Sequence, residues 1–139
     1  MLAAVLALAA CAKNPTAPTV VYDRPSLDAR YKAVADMIAL PVCSISSHCS
    51  SVAVGAKPCG GPWRYLVYSH LNVDERELRR RADELFSFER EYNMRNGIAS
   101  DCSFVRAPVP GCVDNMCVDL TEGAGTGSFW TVRVYTAEQ

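Results

Sequence analysis

Apolar side chains recur at helical spacing in two parts of the chain. The first stripe has apolar residues at relative positions 0, +4, +7 and +11, namely Leu27, Tyr31, Val34 and Ile38. Such a stripe is typical of an amphipathic helix. Ser26 is a residue type that caps helices, and Pro41 disfavours helical backbone at the residue before it. The pattern therefore predicts a first helix over residues 27–40.

A second stripe predicts a longer helix. Its apolar members are Leu78, Ala82, Leu85, Phe88 and Tyr92. Either Asn72 or Asp74 can cap this helix, because each is followed three residues later by a glutamate, as in a capping box. Asn96-Gly97 supplies a left-handed stop at the other end.

Shorter segments that are rich in β-branched and aromatic residues predict strands. Residues 51–54 and 63–68 are two of these, and we expect them to pair across the turn-rich loop between them. The tail predicts strands at 103–106, at the segment 112–117 with its Asp114-Asn115 turn and its continuation over 118–121, and at 129–135. The expected fold class is α+β, with two helices packed on a small antiparallel sheet and stapled by disulfides.

The front of the chain carries an apolar run from Leu2 to Ala10 without a charge or a helix breaker. It is far shorter than the roughly 20 residues of a membrane span and fits the apolar core of a secretory signal. The run ends in Leu8-Ala9-Ala10-Cys11, which resembles the lipobox of bacterial lipoproteins at every position. The resemblance implies that residues 1–10 are a signal peptide and that Cys11 carries acyl chains.

The signal lacks one usual feature, the positive charge ahead of the apolar core. Met1 is followed directly by Leu2, so either the start is placed too late or the front end is incomplete. The alternative interpretation is a buried N-terminal helix or strand, which the polar, proline-broken stretch at 13–19 disfavours. We expect residues 11–25 to form the lipidated N-terminus and a linker, followed by a single α+β domain over residues 26–139.

Charge restricts the classes of partner. Fourteen Lys and Arg against fifteen Asp and Glu give a net charge of −1, which excludes the strong basic field of nucleic-acid binders and a polybasic attachment to lipid. We expect membrane attachment through the acyl chains on Cys11, and a protein as any further partner. The lipobox resemblance implies the cell envelope. Ala12 after the cysteine resembles the pattern sorted to the outer membrane, facing the periplasm, in hosts with two membranes.

The cysteine count agrees with export. The chain has seven cysteines, and an odd number leaves one without a partner. If Cys11 is lipidated, six remain for three disulfides, which an oxidising envelope favours: Cys43, Cys49, Cys59, Cys102, Cys112 and Cys117. No pair has Cys-x-x-Cys spacing and neither His48 nor His70 completes a ligand pattern, so we expect no metal and no cofactor.

Six cysteines permit fifteen pairings, and short sequence separation favours some of them. We expect Cys112–Cys117 to form across the Asp114-Asn115 turn. We expect Cys49–Cys59 to close the loop between the first two strands. These choices leave Cys43–Cys102 as the third bond.

One stretch of the domain resembles known proteins. Residues 55–69, together with Ser100-Asp101-Cys102 and the pair Cys112/Cys117, are similar to a widespread group of small secreted or lipid-anchored bacterial proteins. The resemblance covers residues 43–117. It implies a type of domain and no particular activity.

No reactive groups converge in the sequence. Cys49 follows His48 directly, and adjacent residues of an extended chain point to opposite faces. The glycine run at 123–127 lacks the lysine of a phosphate loop. We expect no catalytic residue and no enzyme. The preferred interpretation is a binding or inhibitory module for an envelope or extracellular protein, and the alternative is a structural or assembly lipoprotein with no discrete ligand.

The loop over residues 57–63 is the expected contact surface. Its candidate binding residues, including the one that follows it, are Lys57, Gly60, Gly61, Trp63 and Arg64. A cysteine, two prolines and two glycines would hold the turn rigid, and rigid loops lose less entropy on binding. Trp and Arg are enriched among binding hot spots. The alternative is that Trp63 packs inward and the loop merely closes a hairpin.

Overall fold

The computed structural model describes residues 19–122. Its elements are helices α1 (Arg24–Met37) and α2 (Glu75–Asn96), and strands β1 (Cys49–Val54), β2 (Arg64–Ser69), β3 (Pro110–Val113) and β4 (Met116–Asp119), with single 3-10 turns at Ser46–His48 and Leu120–Glu122. The α+β class with two helices and three disulfides is confirmed. The strands form two two-stranded antiparallel sheets, β1–β2 and β3–β4, instead of a single sheet.

Helix α2 begins and ends where its capping residues predict. The Asp74 carboxylate accepts a hydrogen bond from the Glu77 N–H at 3.1 Å, which satisfies one of the donors left free at a helix start. Gly97 follows the helix with a φ of 62°, in the left-handed conformation that glycine adopts at low cost. The predicted second helix is confirmed.

Helix α1 lies about three residues earlier than predicted. Asp23 is the cap, and its carboxylate accepts the Ser26 N–H at 2.8 Å. Pro25 then lies in the first turn, where its fixed φ suits a helix and its missing N–H costs nothing. Ser26 is therefore inside the helix, and the helix ends at Met37, ahead of residue 40.

The two hairpins differ in how their turns are built. Strands β1 and β2 pair as predicted, with Val52 opposite Leu66. Strands β3 and β4 are joined by Asp114 and Asn115, which have φ values of 49° and 62°, the left-handed pair that a two-residue hairpin turn requires. The predicted strand at 103–106 is wrong, because this segment pairs with no strand among residues 19–122.

Several predictions fall outside the part of the chain that the structure describes. These are the signal over residues 1–10, the lipidated Cys11 and the strand at 129–135. Within residues 19–122, no helix is long and apolar enough to cross a bilayer.

The core lies between the two helices and the β1–β2 hairpin. Its buried members are Leu27, Val34 and Ile38 of α1, Val52, Val54 and Tyr68 of the hairpin, and Leu78, Ala82, Leu85 and Phe88 of α2. Burial of each large side chain contributes about 1.5–3 kcal/mol relative to its exposure. At the edge of the core, the partly buried Tyr22 stacks on Phe88 with ring centroids 4.8 Å apart, so the chain preceding α1 is held on α2.

The six predicted cysteines form three disulfides, but all three predicted pairings are wrong. The bonds are Cys43–Cys112, Cys49–Cys117 and Cys59–Cys102, with Cα separations of 5.9, 5.4 and 5.4 Å, which suit a disulfide.

Strand geometry explains the failed pairings. Strand β1 carries Cys49 roughly 16 Å away from the loop that contains Cys59, beyond the reach of a disulfide. Residues 41–43 run along β4, since the Cys43 N–H donates to the Asn115 carbonyl and the Cys117 N–H to the Pro41 carbonyl. Cys112 and Cys117 face each other in the hairpin, but Cys112 bonds to Cys43 of this neighbouring segment and Cys117 bonds to Cys49 at the start of β1.

Candidate functional site

Residues 55–63 form a tight loop between β1 and β2. Three glycines have left-handed φ values, +80° at Gly55, +97° at Gly60 and +79° at Gly61. The Lys57 N–H donates to the Gly61 carbonyl and the Gly60 N–H to the Lys57 carbonyl, both at 2.9 Å. The conformation is therefore fixed by short-range bonds that only a glycine-rich sequence makes without strain.

A buried carboxylate on α2 supports the start of this loop. Glu89 is only 6% exposed and accepts hydrogen bonds from the Ala56 N–H and the Tyr31 hydroxyl, both at 2.7 Å. The Trp63 side chain also favours the charged form of this carboxylate. Asn93, one turn later, donates to the Ala56 carbonyl at 2.7 Å. Both backbone groups of Ala56 are thus bonded to α2.

The pKa of Glu89 differs from that of a glutamate on a solvated helix surface. Burial is the largest influence and raises the pKa of Glu89 above its ordinary value of 4.5, while the bonds from Tyr31, Ala56 and Trp63 act in the opposite direction. Glu89 does not join the exposed charged residues of this helix, because it lies four residues after Leu85 and on the same side of the helix.

A buried lysine joins this loop to a second one. The Lys57 side chain is 6% exposed, and its Nζ donates to the Ser103 carbonyl at 2.9 Å, to the Ser103 Oγ at 2.8 Å and to an Asp101 oxygen at 3.2 Å. Three acceptors satisfy the three protons of the ammonium group. A buried cation costs little only when it is bonded in this way.

Asp101 is the exposed partner of Lys57 in an ion pair. Its pKa is lowered to about 2, first by hydrogen bonds from the Ser103 backbone N–H and side chain, and then by the bond from Lys57. The Asp101 side chain itself is 68% exposed, so solvent screens its part of the ion pair. The bonds from Lys57 to Ser103 are the better shielded part of this contact.

The Cys59–Cys102 disulfide joins the same two loops as the Lys57 contacts. We call residues 55–63 and 100–103, which these bonds join, the loop pair. The exposed part of the loop pair includes Pro58, Gly60 and Gly61. An open groove of about 420 Å³ lies beside it and is lined by Pro58, Arg90, Asn93, Met94, Gly97 and Ile98.

The predicted binding residues differ in what they present to solvent. Gly60, Gly61 and Arg64 are exposed. Trp63 is half-buried, and its ring centroid lies 5.3 Å from the Lys57 Nζ. Lys57 is buried and supports the loop from inside, so it offers no charge to a partner. The exposed part of the predicted surface therefore consists of the two glycines and Arg64.

Sequence reasoning missed five supporting residues: Tyr31, Glu89, Asn93, Asp101 and Ser103. A signal for two of them exists. Glu89 and Asn93 continue the row of Leu85 at intervals of four, so polar residues occupy positions on the buried side of the helix. A carboxylate and an amide in such a row indicate buried polar partners elsewhere in the chain.

The described residues bring no set of catalytic groups together. His48 Nδ1 accepts the Ser44 N–H at 3.2 Å, and His70 lies 3.2 Å from Glu75. The Sγ atoms of Cys43, Cys49 and Cys117 lie within 4.8 Å of one another, but each sulfur is bonded in a disulfide.

Comparison with known proteins finds no matching family model, no matching curated protein and no matching solved structure.

Proposed function

We propose that the chain is a protein-binding module tethered to the cell envelope through acyl chains on Cys11, and that the loop pair is its contact surface. One observation carries the proposal: the two loops of the loop pair are joined twice, by the buried Lys57 ammonium and by the Cys59–Cys102 disulfide. A loop that is ordered before binding loses little entropy when it binds.

The tether follows from the lipobox resemblance of Leu8-Ala9-Ala10-Cys11. In a host with two membranes, the proposed location is the outer membrane, facing the periplasm. A chain that carries a complete signal should incorporate an alkyne-tagged fatty acid, and the Cys11→Ser variant should not. Equal labelling of both chains would refute the anchor and leave the contact surface standing.

Photo-crosslinking in intact cells tests the contact surface. A benzophenone amino acid at the exposed position Pro58 should give one discrete crosslinked product, whereas the same residue at the exposed Arg76 of α2 should not. Lys57→Met should abolish the product because the loop loses its internal support. Lys32→Met is the matched control, since its side chain is 73% exposed and pairs only with Asp36.

Two outcomes would contradict the proposed function. The first is the absence of a product at position 58. The second is an identical set of products at positions 58 and 76, which indicates unspecific proximity. Formation of all three disulfides in each variant shows that the fold is retained.

A further inference from the structure

The most exposed large apolar side chain in the described part of the molecule is Phe104, at 90%. It follows directly on the Ser103 that Lys57 holds. A phenylalanine that is exposed to this degree can bury a large apolar area in a pocket of a partner. Aromatic side chains contribute much of the binding energy of protein interfaces.

The backbone around Phe104 is extended and pairs with no other residue of the described range 19–122. Residues 101–109 run without a turn or a bend. Among the hydrogen bonds of residues 19–122, none involves the N–H or carbonyl of Phe104, Val105, Arg106 or Ala107. An extended chain with free backbone groups is the form in which a segment adds to a strand of another protein.

Both ends of this segment are held. At the first end, Cys102 is bonded to Cys59 and the Ser103 carbonyl to Lys57. At the second end, the Val109 N–H donates to Asp119 at 3.1 Å and its carbonyl accepts the Leu120 N–H at 2.9 Å. Pro108 and Pro110 further restrict the backbone beside Val109. The segment over residues 103–109, which we call the Phe104 segment, is therefore preorganised.

We propose that the Phe104 segment occupies the substrate cleft of an endopeptidase, with Phe104 in an apolar primary specificity pocket. The inference rests on the proposed function and names the class of its partner. An endopeptidase cleft fits three features together: it pairs with extended backbone, it takes one side chain into a pocket, and it releases its product only when the chain ends separate.

The anchors make the segment a poor substrate for such an enzyme. If the peptide bond after Phe104 is hydrolysed, the new carboxyl end stays attached through Cys102 to Cys59. The new amino end stays attached through Val109 to the β3–β4 hairpin. Neither fragment can diffuse away, so the enzyme remains occupied. The proposed outcome is reversible competitive inhibition.

Inhibition of two serine endopeptidases by the full chain with Cys11→Ser tests the proposal. We expect competitive inhibition of chymotrypsin, which prefers aromatic residues, and no inhibition of trypsin. Phe104→Ala should weaken the inhibition about thirty-fold or more, the loss typical of a hot-spot residue. Phe104→Arg should transfer the inhibition to trypsin. Phe86→Ala, at a phenylalanine of α2 that is 39% exposed, is the matched control and should change nothing.

Hydrogen exchange gives an independent measure. The amides of residues 104–107 should exchange rapidly in the free chain and slowly in the complex with chymotrypsin. Slow exchange in the free chain would overturn the proposal, because the segment would already be paired.

Four other outcomes would also overturn it. These are failure of the wild-type chain to inhibit chymotrypsin, its rapid turnover as a substrate, equal inhibition by Phe104→Ala, and Phe104-dependent binding to vesicles of phosphatidylcholine and phosphatidylglycerol. If the crosslink at Pro58 persists while inhibition is absent, the binding module stands and the endopeptidase inference fails.

Discussion

Gly55 is the position where one added methyl group most directly tests how the loop pair is built. Its φ of +80° is left-handed, and a Cβ placed there would lie 2.7 Å from a Glu89 oxygen and 2.8 Å from the Trp63 Cδ1, and against the Tyr31 hydroxyl. Gly60 has a similar φ of +97°, yet nothing lies within 4 Å of its added Cβ. The two glycines share the backbone strain and differ in the space around them.

We expect Gly60→Ala to lower the free energy of unfolding by about 1–2 kcal/mol, the cost of left-handed backbone for a residue with a Cβ. Gly55→Ala carries the same cost and a further 1–3 kcal/mol, on the order of other overpacked sites. The reduced entropy of the unfolded chain affects both variants alike and cancels in the comparison.

Urea unfolding measures the difference. With an m-value of about 2 kcal/mol/M, typical of small domains, the midpoint of Gly55→Ala should lie roughly 0.5–1.5 M below that of Gly60→Ala. Tyr31→Phe removes one of the clashing atoms, so its combination with Gly55→Ala should lose less stability than the sum of the single changes. Equal midpoints for Gly55→Ala and Gly60→Ala would refute the packing described around Glu89.

Other variants test the core, the titrating groups and the covalent framework. Leu85→Ala, at a fully buried position, should lower the free energy of unfolding by about 2–5 kcal/mol in the same urea assay. Burial raises the pKa of Glu89, so the folded state favours its protonated form, and the free energy of unfolding falls as pH rises above 4.5. Glu89→Gln should remove this decline from unfolding midpoints measured across pH 4–8. The pKa of Asp101 is lowered to about 2, so Asp101 contributes fully to the free energy of unfolding above pH 3.8 and loses this contribution as pH falls toward 2. Asp101→Asn should lack that loss in unfolding midpoints measured between pH 2 and 5. Peptide mapping without reductant should recover the three pairs that the structure contains and none of the local pairs: Cys43–Cys112, Cys49–Cys117 and Cys59–Cys102.

The elements that local signals encode could be predicted from the sequence. The cap at Asp74 and the stop at Gly97 act on residues within one turn, so helix α2 is correct at both ends. The Asp114-Asn115 turn is similarly local, because its left-handed φ values depend on these two residue types. Two local signals compete for the start of α1. Asp23 caps the helix and Pro25 lies in its first turn, so the helix begins ahead of Ser26.

The candidate site depends on partners far apart in the sequence, which local patterns do not encode. Glu89 receives its hydrogen bonds from residues 33 and 58 positions earlier. Lys57 bonds to groups 44 and 46 positions later. A lysine in a polar, glycine-rich loop has the composition of a surface residue, and only the second loop passing over it makes it a buried one.

The disulfide framework shows the same limit. Short separations suggested local bonds, whereas the observed separations are 69, 68 and 43 residues. The Cys43–Cys112 bond, for example, depends on residues 41–43 lying along the β3–β4 hairpin, and their position there depends on the packing of the whole domain.

These long-range bonds also determine how the domain would carry tension if it were held at Cys11 and pulled at the loop pair. Several covalent routes connect Cys43 to Cys59; the direct one runs along β1, and another passes through Cys112 and Cys102. The ten residue steps from Cys102 to Cys112 extend to at most roughly 35 Å, against roughly 55 Å for the sixteen steps of the direct route. The shorter route becomes taut first. Helix α2 lies inside the loop closed by Cys59–Cys102, so the force would pass around it and leave the Glu89 carboxylate bonded to Ala56 of the loop pair under load.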